Sequence, residues 1–427
     1  MSNRYDELIK KIPGPLRPSV RNFYHLARKL FFSIIVGLCA GGTGVLFYHC
    51  MSFVTNTRMN NPWLLFLLPL GGLLIIFLYR AAGEGDNKGT NLILIGIHEN
   101  KPISIKVAPL IFISTLITHL LGGSAGREGA ALQLGGSIGD YIGERFHFND
   151  QARKTFIMCG MSACFSAVFG TPLAAAIFSM EVVSVGIMNY SALVPCVVSS
   201  FVASLLTEAF HAPAEHYIFT QIPHFSVVPG LRILIVAILF AGVSVLFCFA
   251  LHSSEKLYHR YFQNPYLRVV VGGLLVIAMV YLFRTRDYIG AGIPMIEQCF
   301  AGSVPWYAFL LKILFTAVTL GAGYKGGEIV PSFFIGATFG CFIGPVFGLP
   351  APLCAACGMV GVFCGVTNCP ITSIMMAFEL FGIDALPYYI ITIAVSYLMS
   401  GYYGLYNSQK IVYSKYLPSS VINRHPR

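Results

Sequence analysis

Two glutamates 200 positions apart carry most of the chemistry this sequence offers. Glu128 lies in the stretch 122–135, GGSAGREGAALQLG, beside Arg127 and among glycines. Glu328 lies in Gly326-Gly327-Glu328-Ile329, followed by Val330 and Pro331. Both turns follow long apolar runs and open further helical stretches. A charge at membrane depth costs roughly 2.5–3.5 kcal/mol on insertion scales and is kept mainly for function. Glycines ahead of a helix leave N–H groups free to face an anion. The amides around Gly126, Arg127 and Gly129 in one turn, and Ile329 and Val330 in the other, are therefore candidate anion donors. Ionised Glu128 can fill the anion site itself, and protonated it can swing away. One group would then be gate and proton carrier. The plainer alternative is an ion pair with Arg127, which is disfavoured because neighbouring helical residues face about 100° apart. Glu328 would repel an anion unless protonated, so it reads as a second proton carrier; the alternative is a helix N-terminal acid satisfied by amides. Tyr406, in GYYGLYNSQK, can bring a hydroxyl to the inner end of the same path.

The elements that must position these groups are membrane helices. Of 427 residues, 56% are hydrophobic and 11% charged, against about 25% charged in soluble domains. Mean hydropathy is +0.71. These values and the long apolar runs indicate an all-α polytopic membrane protein lying in a lipid bilayer. The period-2 alternation of a membrane β-barrel is absent. Net charge is +10, but no soluble basic face is visible, so nucleic acid is not an expected partner. Arg4, Lys10, Lys11, Arg17, Arg21, Arg28 and Lys29 precede the first span, and Lys410, Lys415, Arg424 and Arg427 follow the last. The positive-inside rule then places both termini in the cytoplasm, with the plasma (inner) membrane as the expected location. The polar, basic start is not a cleavable signal peptide.

The chain divides into a cytoplasmic segment 1–29, a transmembrane repeat 30–208, an extracellular linker 209–230, a second repeat 231–405, and a pore-lining segment with a short cytoplasmic tail, 406–427. Expected spans are 30–54, 62–80, 106–121, 130–145, 154–169, 173–188 and 191–208, the last interrupted by Pro195. The piece 92–98 is too short to span and follows a glycine-rich turn, as in discontinuous membrane helices. The second half repeats the first. Runs 231–253 and 267–284 match 30–54 and 62–80, and 305–320 matches 106–121. Gly290-Ala291-Gly292 takes the place of Gly89-Thr90-Asn91. Glu328 follows Glu128 by 200, and Pro370 and Glu379 follow Pro172 and Glu181 by 198. The linker 209–230 has no Lys or Arg and so faces outside. The repeats are then inverted, with the binding site near the midplane between them.

Other candidates have bland readings. Gly135, Gly139 and Gly143, with Gly336, Gly340 and Gly344, fit close helix packing. Glu181 and Glu379 read as polar anchors at helix ends. His211, His216 and His224, and the CxxC of Cys354 and Cys357, suggest no metal site, and no cofactor is expected. Ser124 within GGSAG, near His119, imitates a nucleophile elbow but lacks its strand–turn–helix setting; an intramembrane serine protease is a remote alternative, and no enzyme is expected.

Together these residues resemble the chloride-channel (CLC) family of anion channels and anion/proton antiporters, from about residue 30 to 415. GREG at 126–129 is similar to the family's GREGP gate motif, with Ala130 for proline; GGEIVP at 326–331 is similar to GxFxP, and Tyr406 to the pore tyrosine. The resemblance implies a homodimer with one pathway per subunit and no appended regulatory domain. The family's serine motif, GSGIP, is missing. Aligned there, Gly89-Thr90-Asn91 makes Thr90 an anion ligand; the other alignment, Gly83-Glu84-Gly85, places Glu84 beside the anion. Val182 stands where chloride/proton antiporters of the family carry an inner proton glutamate. Glu328 together with these two absences resembles the fluoride/proton antiporter branch, although the phenylalanines described near that branch's site are absent from NLILIG. The expectation is proton-coupled fluoride export, with a chloride/proton antiporter or a passive anion channel as alternatives.

Overall fold

The computed structural model describes residues 17–85, 87–212, 216–417 and 421–426. Arg4, Lys10, Lys11 and Arg427 lie outside the described residues. Among the described residues the first half contains eight α-helices: α1 (Arg17–Asn60), α2 (Leu68–Ala81), α3 (Thr90–Glu99), α4 (Val107–Leu120), α5 (Glu128–Arg145), α6 (Asp150–Phe169), α7 (Pro172–Glu181) and α8 (Leu193–Ala209). The second half repeats that order as α9 (Val227–Tyr261), α10 (Pro265–Phe283), α11 (Ile293–Ala301), α12 (Ala308–Gly321), α13 (Ile329–Val346), α14 (Ala351–Thr367), α15 (Pro370–Phe381) and α16 (Leu386–Met399). The correspondence extends to length: α4 and α12 have 14 residues each, and α5 and α13 have 18 each. Among the described residues, six helical segments are long and apolar enough to cross a membrane. The short helices α3 and α11 have only 10 and 9 residues; each starts after a glycine with positive φ, Gly89 or Gly292, and they end at Asn100 and Gly302. The architecture is two inverted-topology repeats of discontinuous helices.

Local chemistry sets the breaks. Helix α6 ends at Gly170 with φ 78°, and α14 ends at Asn368 with φ 59°. Each is followed two residues later by a proline, which bars the preceding residue from the helical region and starts a new helix at its own fixed φ. The four-spaced glycines act in packing. A Cβ on Gly135 would fall on the Gly160 carbonyl, and one on Gly336 on the Gly358 carbonyl. Helices α5 and α6, like α13 and α14, therefore touch backbone to backbone.

The two repeats cap each other. The N–H groups of Leu173 and Ala174 donate to Glu379 (2.8 Å each), while those of Ile371 and Thr372 donate to Glu181 (3.0 and 2.8 Å). Each glutamate thus fills the first turn of the opposite repeat's helix, α7 or α15.

Several local expectations are corrected. Residues 173–188 do not form one helix, because α7 stops at Glu181 and a short strand β1 (Ser184–Val185) follows. Pro195 does not interrupt α8; it occupies the third position, where the missing N–H costs no hydrogen bond. Beside the helices of this all-α fold lies one small sheet: β1 pairs in parallel with β2 (Lys410–Tyr413), which pairs antiparallel with β3 (Val421–Arg424). Linker residues 227–230 belong to α9. Part of the linker packs on the helices, with Tyr217 buried and its N–H donating to the Leu380 carbonyl (3.0 Å).

Candidate functional site

The two glycine turns meet. Gly126 and Gly327 exchange backbone hydrogen bonds of 2.7 Å in each direction, an isolated antiparallel bridge. Gly327 also packs on the next turn: a Cβ there would lie 2.6 Å from the Gly129 nitrogen. The starts of α5 and α13 are thereby clamped together, and no side chain fits between them.

Around this clamp the polar groups converge. A Cβ on Gly129 would sit 3.2 Å from Glu328 Oε2 and 3.4 Å from Thr90 Oγ1, so those two oxygens flank one spot at the start of α5. Thr90 opens α3 and is buried. Glu84, the alternative, lies in an open turn beyond α2, with Gly83 facing empty space. Glu328 Oε2 and the Tyr406 hydroxyl are buried and bond to no other protein atom, which is uncommon for buried polar groups. Tyr406 is placed by its neighbours: Leu405 N–H donates to the Val366 carbonyl (2.8 Å), and Ser408 N–H donates to Asn91 Oδ1 (2.9 Å).

Glu128 is fully buried, and its carboxylate is folded back on Arg127. Arg127 Nε donates to Oε1 (3.3 Å) and the Arg127 backbone N–H donates to Oε2 (3.1 Å). The sequence-based argument against this pair is corrected here. Arg127 is the N-cap, outside the helix, so the side-chain divergence of adjacent helical residues does not apply. The guanidinium lies over the Tyr48 ring, 5.0 Å from its centre.

Two candidate donors drop out for the same reason. The Gly126 amide is spent on Gly327 and the Arg127 amide on Glu128, so neither faces an anion in this conformation. The amides of Gly129, Ile329 and Val330 open α5 and α13, where helix geometry leaves N–H groups without intrahelical partners.

The structure adds two residues, Gln133 and Lys312, and gives His119 a different setting. Gln133, 2% exposed, directs Nε2 at the Gly129 carbonyl (3.3 Å) and Thr90 Oγ1 (3.5 Å), while its Oε1 has no partner. Its sequence signal was a lone amide on a helix of small and apolar residues. Lys312 is fully buried and donates to the carbonyls of Gly290 (2.6 Å) and Tyr288 (3.2 Å). It is the one charge in the run 308–321, a signal of the same kind as Glu128. His119 lines a cavity of about 700 Å³ with Tyr48, Arg58, Arg127, Gly292 and Glu297. That cavity leads to the Arg127–Glu128 pair from the side of the linker, which contributes His216 and Tyr217.

The protease geometry is absent. Ser124 Oγ is 3.0 Å from Thr316 Oγ1, and His119 Nδ1 is occupied by the Thr115 carbonyl (3.0 Å). All twelve cysteines are free, and among the described residues no His/Cys/Asp/Glu group could hold a metal.

Inverted repeats of broken helices, with their glycine turns clamped around buried carboxylates, define an integral membrane ion-transport protein. The comparisons give the family. The voltage gated chloride channel family model matches residues 71–401. A chloride/fluoride channel protein of Pseudomonas syringae pv. tomato is 37% identical over 399 residues, covering 92% of this chain and 88% of that one. The H(+)/Cl(-) exchange transporter ClcA of Klebsiella pneumoniae is 25% identical, covering 82% and 80%. The crystal structure of a CLC-type fluoride/proton antiporter superposes with a TM-score of 0.87 at 31% identity, covering 91% of this chain and 98% of that one. A slow cyanobacterial Cl-/H+ antiporter, at 19% identity and a TM-score of 0.75, shares the fold. The chain belongs to the voltage gated chloride channel (CLC) family.

Proposed function

We propose that this protein exports fluoride in exchange for protons. The observation that carries the reading is the second carboxylate: Glu328 Oε2 is buried, has no protein partner and flanks, with Thr90 Oγ1, the start of α5. A carboxylate there repels an anion; a protonated carboxyl donates a hydrogen bond to one. Fluoride is small, strongly hydrated and a strong acceptor, so it gains most from such donors. Glu328 as the acid, the Thr90 and Tyr406 hydroxyls and the amides of Gly129, Ile329 and Val330 replace its water. Glu128 is the gate. When it takes a proton its hold on Arg127 is lost, the side chain moves, and the proton travels against the anion. The likeness to a fluoride/proton antiporter supports this assignment.

The protein works as a homodimer in the plasma membrane with both termini cytoplasmic, each subunit having its own pathway. Val182, buried where the chloride/proton exchangers of the family are expected to carry an acid, supports fluoride over chloride as the substrate. The test is anion efflux from proteoliposomes read with fluoride, chloride and pH electrodes. Fluoride should leave much faster than chloride, with protons moving oppositely and driven uphill by a fluoride gradient. Chloride leaving as fast as fluoride refutes the selectivity. Flux that no proton gradient can drive uphill makes the protein a channel.

A further inference from the structure

The cavity that leads to Arg127 contains a group the exchange mechanism does not use. His119 is 1% exposed, and its Nε2 has no partner. Its Nδ1 lies 3.0 Å from the Thr115 carbonyl. A carbonyl only accepts, so Nδ1 carries the hydrogen and Nε2 of the neutral ring is a bare lone pair.

The surroundings are cationic. Arg58 of α1 and Arg127 of the turn before α5 line the cavity with His119, and Lys312 of α12 is buried next to its Gly292 wall. Arg58 Nη1 donates to the His119 carbonyl (2.9 Å), and the same guanidinium lies against Gly290. Lys312 donates to the Gly290 carbonyl. Gly292 and Ile293, at the start of α11, also line the cavity and add the positive end of a helix. The other charged or titratable cavity groups are Tyr48, Arg286, Asp287, Glu297, His216 and Tyr217. Nothing among the described residues offers Lys312 a carboxylate partner.

We infer that the floor of this cavity is a second anion site, where a small halide binds together with a proton on His119 Nε2. The proton comes from bulk water, and no covalent bond forms or breaks. A proton on the ring adds a positive charge beside those of Arg58 and Arg127, which repel it. An anion among them offsets that repulsion, and the new Nε2–H donates to it. Each ligand therefore strengthens the other, as reciprocal coupling requires. The site delivers anion and proton side by side to the Arg127–Glu128 pair. The inference rests on the reading that the path carries small anions.

The test uses the purified full-length protein with Glu128→Gln and Glu328→Gln, which silence the central carboxylates. Sodium fluoride and sodium chloride are titrated calorimetrically between pH 7.5 and 5.5, in buffers of different ionisation enthalpy. Anion affinity should rise about tenfold per pH unit lowered, with close to one proton taken up per anion. Adding His119→Asn, whose amide can keep the bond to Thr115, should remove the proton uptake and flatten the pH dependence. Uptake that persists in His119→Asn overturns the site, as does the absence of anion binding at low pH in the double variant. The same fluoride export in wild type and His119→Asn proteoliposomes, with an unchanged pH profile, would leave the exchange function standing and overturn only this site.

Discussion

Gly126 and Gly327 bond to each other through both N–H and C=O at 2.7 Å, although 201 positions separate them in the chain. This pair joins the two repeats where their charged turns meet, and it fixes the distance between the helices that carry Glu128 and Glu328. Because it consumes the Gly126 amide, it also decides which backbone donors remain for an anion.

Gly327→Ala should therefore be among the most damaging single-methyl changes in the protein. The new Cβ would lie 2.6 Å from the Gly129 nitrogen, a backbone atom that cannot swing aside. Overpacking costs about 1–3 kcal/mol, and here the strain moves the site itself. A lower melting temperature in detergent and loss of fluoride efflux are expected. Wild-type efflux in this variant would contradict the clamp.

Glu128→Gln should abolish proton coupling while leaving the fold intact, since an amide can still accept from the Arg127 N–H. The measurement is proton movement driven by a fluoride gradient in proteoliposomes. Pumping that survives removes Glu128 from the gate.

Glu328→Gln places a permanent N–H donor where the acid is proposed to donate. Fluoride binding should persist or tighten, and turnover should fall at least about tenfold, because the group can no longer release its proton. Calorimetry and efflux together separate this from a capping role, in which stability falls and both anion affinities stay as they were.

Glu181→Gln and Glu379→Gln should each cost about 1–3 kcal/mol by weakening charge-assisted bonds to two helix N–H groups. The fluoride-to-chloride ratio should not change. A shift in selectivity in either variant would make that residue part of the path, not a cap.

Ser124→Ala should leave transport close to wild type, since the Ser124 hydroxyl bonds to Thr316 and not to a histidine. Loss of transport would show that this bond holds the turn before Glu128.

Much of this was legible in the chain itself. Apolar runs of spanning length, the glycine breaks between them and the recurrence of Glu328, Pro370 and Glu379 about 200 residues after Glu128, Pro172 and Glu181 are local features that composition and spacing record. They determined the membrane class, the duplication and the two carboxylates. The four-spaced glycines were equally readable, since a backbone contact requires glycine wherever it occurs.

Tertiary structure decided the partners. Glu181 caps the helix that starts at Pro370, and Glu379 the one that starts at Pro172; spacing shows that the residues correspond but not that they cross over. Arg127 bonds with Glu128 because it lies just outside the helix, a difference of one residue in where α5 begins. Thr90, Gln133 and Tyr406 come from three separate parts of the chain, and Lys312 reaches the carbonyl of Gly290. Periodicity reports which face of a helix is apolar. Only the packing of the two repeats fixes which buried polar atoms meet, and which of them, Glu328 Oε2 and His119 Nε2 among them, have no protein partner.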